Sequence, residues 1–372
     1  MLQQEKIRQA KAILQAENVD MWITIGRETV MNSEPVLPFL STLQLGSNTA
    51  IIITNDTCIC YAGHLDAYGM EQQGIYDEVI SYDKSFKEGF LQLLKRFNPQ
   101  QIALNYSGDV ASDGLTHGMY LFLQEMFKAA DYQGAIISSE KIINKLRGIK
   151  TPAELAAIKK AIACTEKILV EAADFIQEGR TQIEIHQFCQ DRIKHYQQGN
   201  AWEIKHNPGV MLNNAPMGHA GPGDYRCHQG ELVTLDFGVR VDEYCSDIQR
   251  VYYILKDDEQ TAPLYYQEAL ANIQHAQDIG LALMRPHTPA YVPDEAARAA
   301  IKAFGYPDFN FGFGHQVGRE THDGGVMMGP RWERYLGRVE AEMEVGMVFT
   351  VDINIGFSDG WIGQEDMALI GP

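Results

Sequence analysis

Four acidic residues stand where strands are expected, although acids are depleted in strands. In "ELVTLDFGVRVDEYCSDIQRVYYI", residues 231–254, Val233, Leu235 and Phe237 alternate with Thr234, Asp236 and Gly238. A polar turn follows, then a second β-rich run of Val251, Tyr252, Tyr253 and Ile254. The stretch reads as a β-hairpin with Asp236 inside one arm and Asp247 at the mouth of the other. The same arrangement returns near the C-terminus, with Asp352 inside "FTVDINI" and Glu365 inside "GQEDMALI". An unpartnered buried carboxylate costs several kcal/mol or takes up a proton.

Between the two acid pairs lies "FGFGHQVGRETHDGG", with His315 and His322 among glycines that allow close approach of backbone to a site. Clustered carboxylates repel one another unless cations hold them. Four acids and one imidazole form a natural shell for two divalent ions, between which a water loses a proton near neutral pH. An oxygen-rich set with one His favours Mn²⁺, with Zn²⁺, Co²⁺ or Fe²⁺ as the other fits. Taken singly, an Asp in a strand is more often an edge residue, and a His near Gly more often a hydrogen-bonded loop residue. The joint pattern favours a site, because the acids occupy matching places in two similarly ordered segments.

Those segments are built from helices and strands. "KLRGIKTPAEL" marks a boundary near 145–151, with Thr151 as N-cap, Pro152 at the first helical position and Glu154 closing a capping box. The helix it opens carries Leu155, Ile158, Ile162, Ile168, Leu169 and Ile176, and Gly179 can end it. A second helix starts with Thr181 and Glu184 and is again followed by Gly. After the hairpin the order repeats, with helices at about 262–284 and 293–304 and then strands. Residues 1–145 read as a mixed α/β domain of their own. It has a helix at 3–17, a strand "DMWITI", a hairpin "NTAIIITNDTCICYAG" turning at Asn55-Asp56, and two amphipathic helices around "QIALNY". His64 and Asp66 in "GHLDAYG" read as a polar loop.

The chain has 372 residues, is 45% hydrophobic and 22% charged, and carries a formal net charge of −18. That charge argues against nucleic acid or an anionic membrane as partner. No run of about twenty apolar residues is present, and "MLQQEKIRQAKAILQ" reads as a charged amphipathic helix and not a signal peptide. A cytoplasmic location is the expectation. Cys58, Cys60, Cys164, Cys189, Cys227 and Cys245 read as free thiols, with Cys58 and Cys60 as core and edge residues of a strand.

These residues resemble those of the pita-bread metallopeptidases: Xaa-Pro aminopeptidase, prolidase, methionine aminopeptidase and the related creatinase. The likeness runs over 150–372, and residues 1–145 are similar to the creatinase-type N-terminal domain. The fold implied is α+β, with a smaller α/β domain preceding a duplicated ααβββ catalytic domain. "LDFGV" and "YCSDIQRVYY" match the segments carrying the first two metal ligands, Asp236 and Asp247. "GFGHQVGRETHDGG" resembles the segment that makes His315 a ligand and His322 a substrate- or intermediate-binding residue. "EVGMVFTVDINI" and "QEDMALI" match those carrying Asp352 and Glu365, and "NAPMGHAGPGD" makes His219 a pocket histidine.

The resemblance implies hydrolysis of short peptides, with proline after the scissile bond. Asp236 and Asp247 would bind one ion, His315 and Asp352 the other, with Asp247 and Glu365 bridging. A metal-bridged hydroxide would attack the carbonyl, a metal and one histidine would stabilise the oxyanion, and Asp352 would pass the proton to the leaving amine. A homodimer is the expected assembly.

One position departs from the family pattern: Asp352, followed by Ile and Asn, stands where Glu-Pro-Gly is usual. Asp is shorter in reach by about 1.2–1.5 Å. The alternative is therefore a catalytically weak or inactive scaffold of the same fold that binds peptides or proteins. Metal-free C–N hydrolysis of the creatinase kind ranks lower, because acids remain at all four positions.

Overall fold

The computed structural model describes residues 2–213, 221–335, 337–357 and 360–372. They fall into two compact units, Met1–Arg147 and Gly148–Pro372. The elements of the first, in chain order, are α1 (Leu2–Glu17), β1 (Met21–Gly26), α2 (Leu37–Leu40), β2 (Thr49–Thr54), β3 (Cys58–Gly63), α3 (His64–Gln72), β4 (Glu78–Tyr82), α4 (Phe86–Phe97), β5 (Gln101–Leu104), α5 (His117–Ala129), β6 (Ala135–Ser138) and α6 (Glu140–Gly148).

The six strands form one mixed sheet in the order β4-β3-β2-β1-β5-β6. Trp22, Ile51 and Cys60 pack with α1, α2 and α6 on one face, while Met21, Ile52 and Ile59 pack with α4 and α5 on the other. Burial on both faces is why these strands read as continuous apolar runs. Two expectations change here. Cys58 and Cys60 are both core residues, because β3 is paired on both sides. "HLDAYGMEQ" is helix α3 and not a loop. Asp66 lies in its first turn and accepts from the backbone N and Oγ of Ser47 at 2.7 and 2.5 Å.

The second unit runs α7 (Pro152–Phe175), α8 (Gln182–His195), β7 (Gly199–Asn200), β8 (Gly209–Leu212), β9 (Leu232–Phe237), β10 (Val239–Val241), β11 (Tyr244–Cys245), β12 (Ile248–Tyr253), α9 (Leu264–Leu283), α10 (Tyr291–Ala303), β13 (Gly314–His315), β14 (Met327–Met328), β15 (Val348–Phe357) and β16 (Gly360–Leu369). Both capping boxes are formed, Thr151 with Glu154 and Thr181 with Glu184. Past α8 it is Gln197, at φ 57°, that adopts the left-handed conformation, and Gly199 belongs to β7.

Its main sheet is antiparallel, in the order β15-β16-β12-β9-β8. Leu235 on β9 and Ile353 on β15 lie on one face of it by register. Leu235 packs in the core with Ile168 of α7 and Ile185 of α8, and Ile353 packs with Ile273 of α9 and Ile301 of α10. Both helix pairs thus cover the same face and leave the opposite one to the acids.

The hairpin at 231–254 is more elaborate than its alternation suggests. β9 pairs with β12, but beyond Gly238 the chain leaves that sheet, and β10 joins β11 and β7 in a separate three-stranded one. Its tight turn places Asp242 and Glu243 at φ 48° and 71°. The switch needs a glycine: a Cβ at Gly238 would lie 2.2 Å from the Ser246 carbonyl oxygen.

Candidate metal centre

Strand register places the acids. Asp236 on β9 is the cross-strand partner of Gln249 on β12, Gln249 of Glu365 on β16, and Glu365 of Asp352 on β15. Directly opposed residues share a face, so these four side chains form one row across the sheet. Asp247 precedes Gln249 by two and shares that face by strand periodicity.

His315 arrives from outside this sheet. Its amide donates to Thr350 Oγ1 at 3.3 Å, and the Asp352 amide donates to the Phe313 carbonyl at 2.7 Å, which lays the histidine segment alongside β15. Gly314 allows the approach, since a Cβ there would lie 1.9 Å from the Thr350 carbonyl oxygen. The segment is fastened further along, where Lys150 Nζ and Asp323 Oδ2 form a fully buried ion pair at 3.2 Å.

One ligand atom each from Asp247, His315 and Glu365 lies within 4.8 Å of the others. His315 Nε2 is 3.8 Å from Asp247 Oδ2 and 3.9 Å from Glu365 Oε1. Its Nδ1 donates to the Thr321 carbonyl at 3.0 Å, which leaves the Nε2 lone pair facing the acids. Burial first, then the neighbouring His322, lowers the His315 pKa to about 3. The ring is therefore neutral at pH 7, the form in which imidazole binds metal.

The carboxyls behave in the opposite sense. Burial first, then the charges of Asp236 and Asp352, pushes Asp247 well above the usual carboxylate range. Burial and then Asp236 do the same to Asp352. Burial and then Asp247, Asp352 and Asp236 raise Glu365, against a lowering hydrogen bond with Thr350. Acids so placed stay ionised only beside cations.

The residues fit a divalent metal pair. Four carboxylates balance the charge of two such ions, and the imidazole is neutral and correctly turned. Gln249 Oε1, in the middle of the acidic row, is buried without a hydrogen-bond partner among the described residues, an atom that a cation would satisfy.

His322 lies beside the centre, its ring edge-on to His315 with centroids 4.2 Å apart. His219 lies outside the described residues. Three further residues belong to this neighbourhood. Gln249 was detectable from its period-2 spacing to Asp247, but an amide carries no charge to draw attention. Asn354 Nδ2 donates to Asp352 Oδ1 at 3.1 Å. Its own Oδ1 turns toward Gly363, where a Cβ would lie 1.6 Å away. Arg338 donates from Nε to the Gly325 carbonyl at 2.9 Å and lies near enough to His315 to depress its pKa. No sequence pattern pointed to it, because only tertiary folding brings its loop there.

Similarity to known proteins agrees with this chemistry. An uncharacterized peptidase of Staphylococcus epidermidis is 25% identical over 353 residues, covering 94% of this chain and 91% of the relative. A Xaa-Pro dipeptidase of Pyrococcus furiosus is 26% identical over 307 residues, covering 81% and 82%. The crystal structure of an X-Pro aminopeptidase from Thermotoga maritima superposes with a TM-score of 0.73 at 20% identity, covering 97% of this chain and 95% of that one. That match extends the likeness in fold across both units. Residues 156–372 match the model of metallopeptidase family M24, and the chain belongs to that family.

Proposed function

We propose that this metallopeptidase cleaves short peptides at Xaa-Pro bonds, with Asp236, Asp247, His315, Asp352 and Glu365 holding two divalent ions. The observation that carries the reading is the convergence of Asp247, His315 and Glu365 within 4.8 Å, beside Asp236 and Asp352 in the same cross-strand row. When bound, the metal pair supplies Lewis acidity and an acidified water. Asp352 accepts the proton released in attack and delivers it to the leaving amine. One histidine, for which His322 beside His315 is the candidate, donates to developing negative charge on the carbonyl oxygen, and the resemblance makes His219 a pocket histidine. The positive charge of Arg338, within electrostatic reach of His315, would attract the free carboxylate of a short peptide. Proline after the scissile bond is supported by the Xaa-Pro dipeptidases among the relatives.

Mn²⁺ is the ion we favour, from the oxygen-rich donor set. The six free cysteines suit a reducing cytoplasm, and the resemblance to two-domain relatives supports a homodimer. Light scattering checks the assembly.

The deciding experiment is hydrolysis of a panel of Xaa-Pro dipeptides and Xaa-Pro-containing tripeptides by protein reconstituted with Mn²⁺, against a chelated control. Metal-dependent cleavage is expected, and the peptide lengths accepted will separate dipeptidase from aminopeptidase. Bound metal without turnover of any member would instead favour the binding scaffold that the short Asp352 side chain suggests.

A further inference from the structure

Gln249 is the one member of the row from Asp236 to Asp352 that is not an acid. It stands between Asp236 on one neighbouring strand and Glu365 on the other. The residue is 7% exposed, and its Oε1 is buried with no hydrogen-bond partner among the described residues. With the metal pair bound, the carboxylates on both sides are ionised and acceptors only, so neither neighbour supplies a proton to that oxygen. An amide oxygen among carboxylates is repelled by all of them unless a cation lies between. It is also a hard, neutral donor of the kind that joins carboxylates around divalent ions. It adds a coordinating atom without adding negative charge to a cluster that already holds four acids.

We propose that Gln249 Oε1 is a further metal-binding atom of this centre, a neutral sixth ligand residue beside Asp236, Asp247, His315, Asp352 and Glu365. The inference rests on the metal-pair reading above. It places the amide with its oxygen inward, toward the ions, and not with its nitrogen donating to a carboxylate.

The test uses metal binding, not turnover. Chelated, dialysed full-length protein is titrated with Mn²⁺ by calorimetry and with Co²⁺ by visible absorption, for the wild type, Gln249→Leu and Gln249→Glu. Gln249→Leu keeps the bulk and removes the oxygen. It is expected to raise the Kd of at least one ion about tenfold and to change the Co²⁺ absorption band. Gln249→Glu retains an oxygen at the same reach but cannot donate a hydrogen bond, and is expected to bind at least as tightly as wild type. A Gln249→Leu protein within about twofold of wild type, with an unchanged Co²⁺ band, overturns the proposal. So does a Gln249→Glu protein that binds as weakly as Gln249→Leu, since that assigns the amide nitrogen as the working atom. If Gln249→Leu fails to fold, Gln249→Glu decides against the wild type: a Kd raised about tenfold or more overturns the proposal, and binding at least as tight supports it. Wild-type protein that binds neither ion would sink the metal-pair reading itself, an outcome distinct from loss of the Gln249 role alone.

Discussion

Asp352 is where this site differs most from its family's pattern, and its surroundings suggest how a short carboxylate is held. Asn354, two residues on and on the same face of β15, donates from Nδ2 to Asp352 Oδ1 at 3.1 Å. Gly363, the cross-strand partner of Asn354, leaves the room that the amide needs. A carboxylate pinned through one oxygen presents the other in a fixed direction. Small losses of direction at a reacting group cost heavily in rate. Asn354→Leu, which removes the donor at similar volume, is expected to lower kcat about tenfold while leaving KM within about twofold. Steady-state kinetics on a cleaved Xaa-Pro peptide checks this, and equal kcat values would leave Asn354 with a packing role only. Asp352→Glu, which puts the usual side chain back, should make the enzyme less sensitive to Asn354→Leu. A double-mutant cycle measures that coupling.

At the scale of elements, the site depends on how closely the histidine segment lies against β15. Gly314 permits contact with the Thr350 carbonyl, and the buried Lys150–Asp323 pair ties the loop after His315 to the chain just before α7. Removing one partner from a buried ion pair is more damaging than replacing both, because the remaining charge keeps its desolvation cost. Lys150→Met is therefore expected to destabilise the protein by about 3–5 kcal/mol, and the Lys150→Met, Asp323→Leu double variant to recover part of that loss. Urea denaturation of the metal-free proteins measures both. A Lys150→Met cost near zero would mean that the pair does not hold the segment. On the helix side of the sheet, Gln277 Nε2 donates to the Val351 and Gln364 carbonyls at 2.8 and 3.0 Å, bracing the two strands that carry Asp352 and Glu365.

For the whole molecule, the candidate metal centre links stability to pH. Asp247, Asp352 and Glu365 all have raised carboxyl pKa values in the folded chain. A group of this kind binds its proton more tightly folded than unfolded. Its contribution is fully present below the ordinary carboxylate pKa of about 4 and is lost as pH rises through the raised folded values. Metal-free protein is thus expected to lose this contribution on going from mildly acidic toward neutral pH. Divalent ions act in the opposite direction, since they require the deprotonated carboxylates. The gain in Tm on adding Mn²⁺ should be larger at pH 8 than at pH 5.5. It should correspond to about 2.7 kcal/mol per ion when the ion stands at a hundred times its Kd. Thermal unfolding with and without chelator at the two pH values tests this; a Tm indifferent to chelator at pH 8 would count against a structural hold by the ions.

The sequence by itself determined the helix starts and strands around the site and which residue types could do the chemistry, while α3 read as a loop. The capping boxes at Thr151 and Thr181, the apolar alternation of β9 and the acids in strands all follow from local spacing, and local spacing is legible in one dimension. The matching order of the two helix-pair segments also pointed to a paired site. Tertiary structure alone decided the strand register that places Gln249 between Asp236 and Glu365, because Gln249 and its partner Glu365 lie over a hundred residues apart along the chain. It decided that the hairpin tip leaves the main sheet, since that depends on contacts of Gly238 with Ser246 and of β10 with β7. It also brought Arg338 within electrostatic reach of His315 and turned the Asn354 amide onto Asp352. Contacts of this kind depend on distance and direction between side chains, and residue type alone leaves both unspecified.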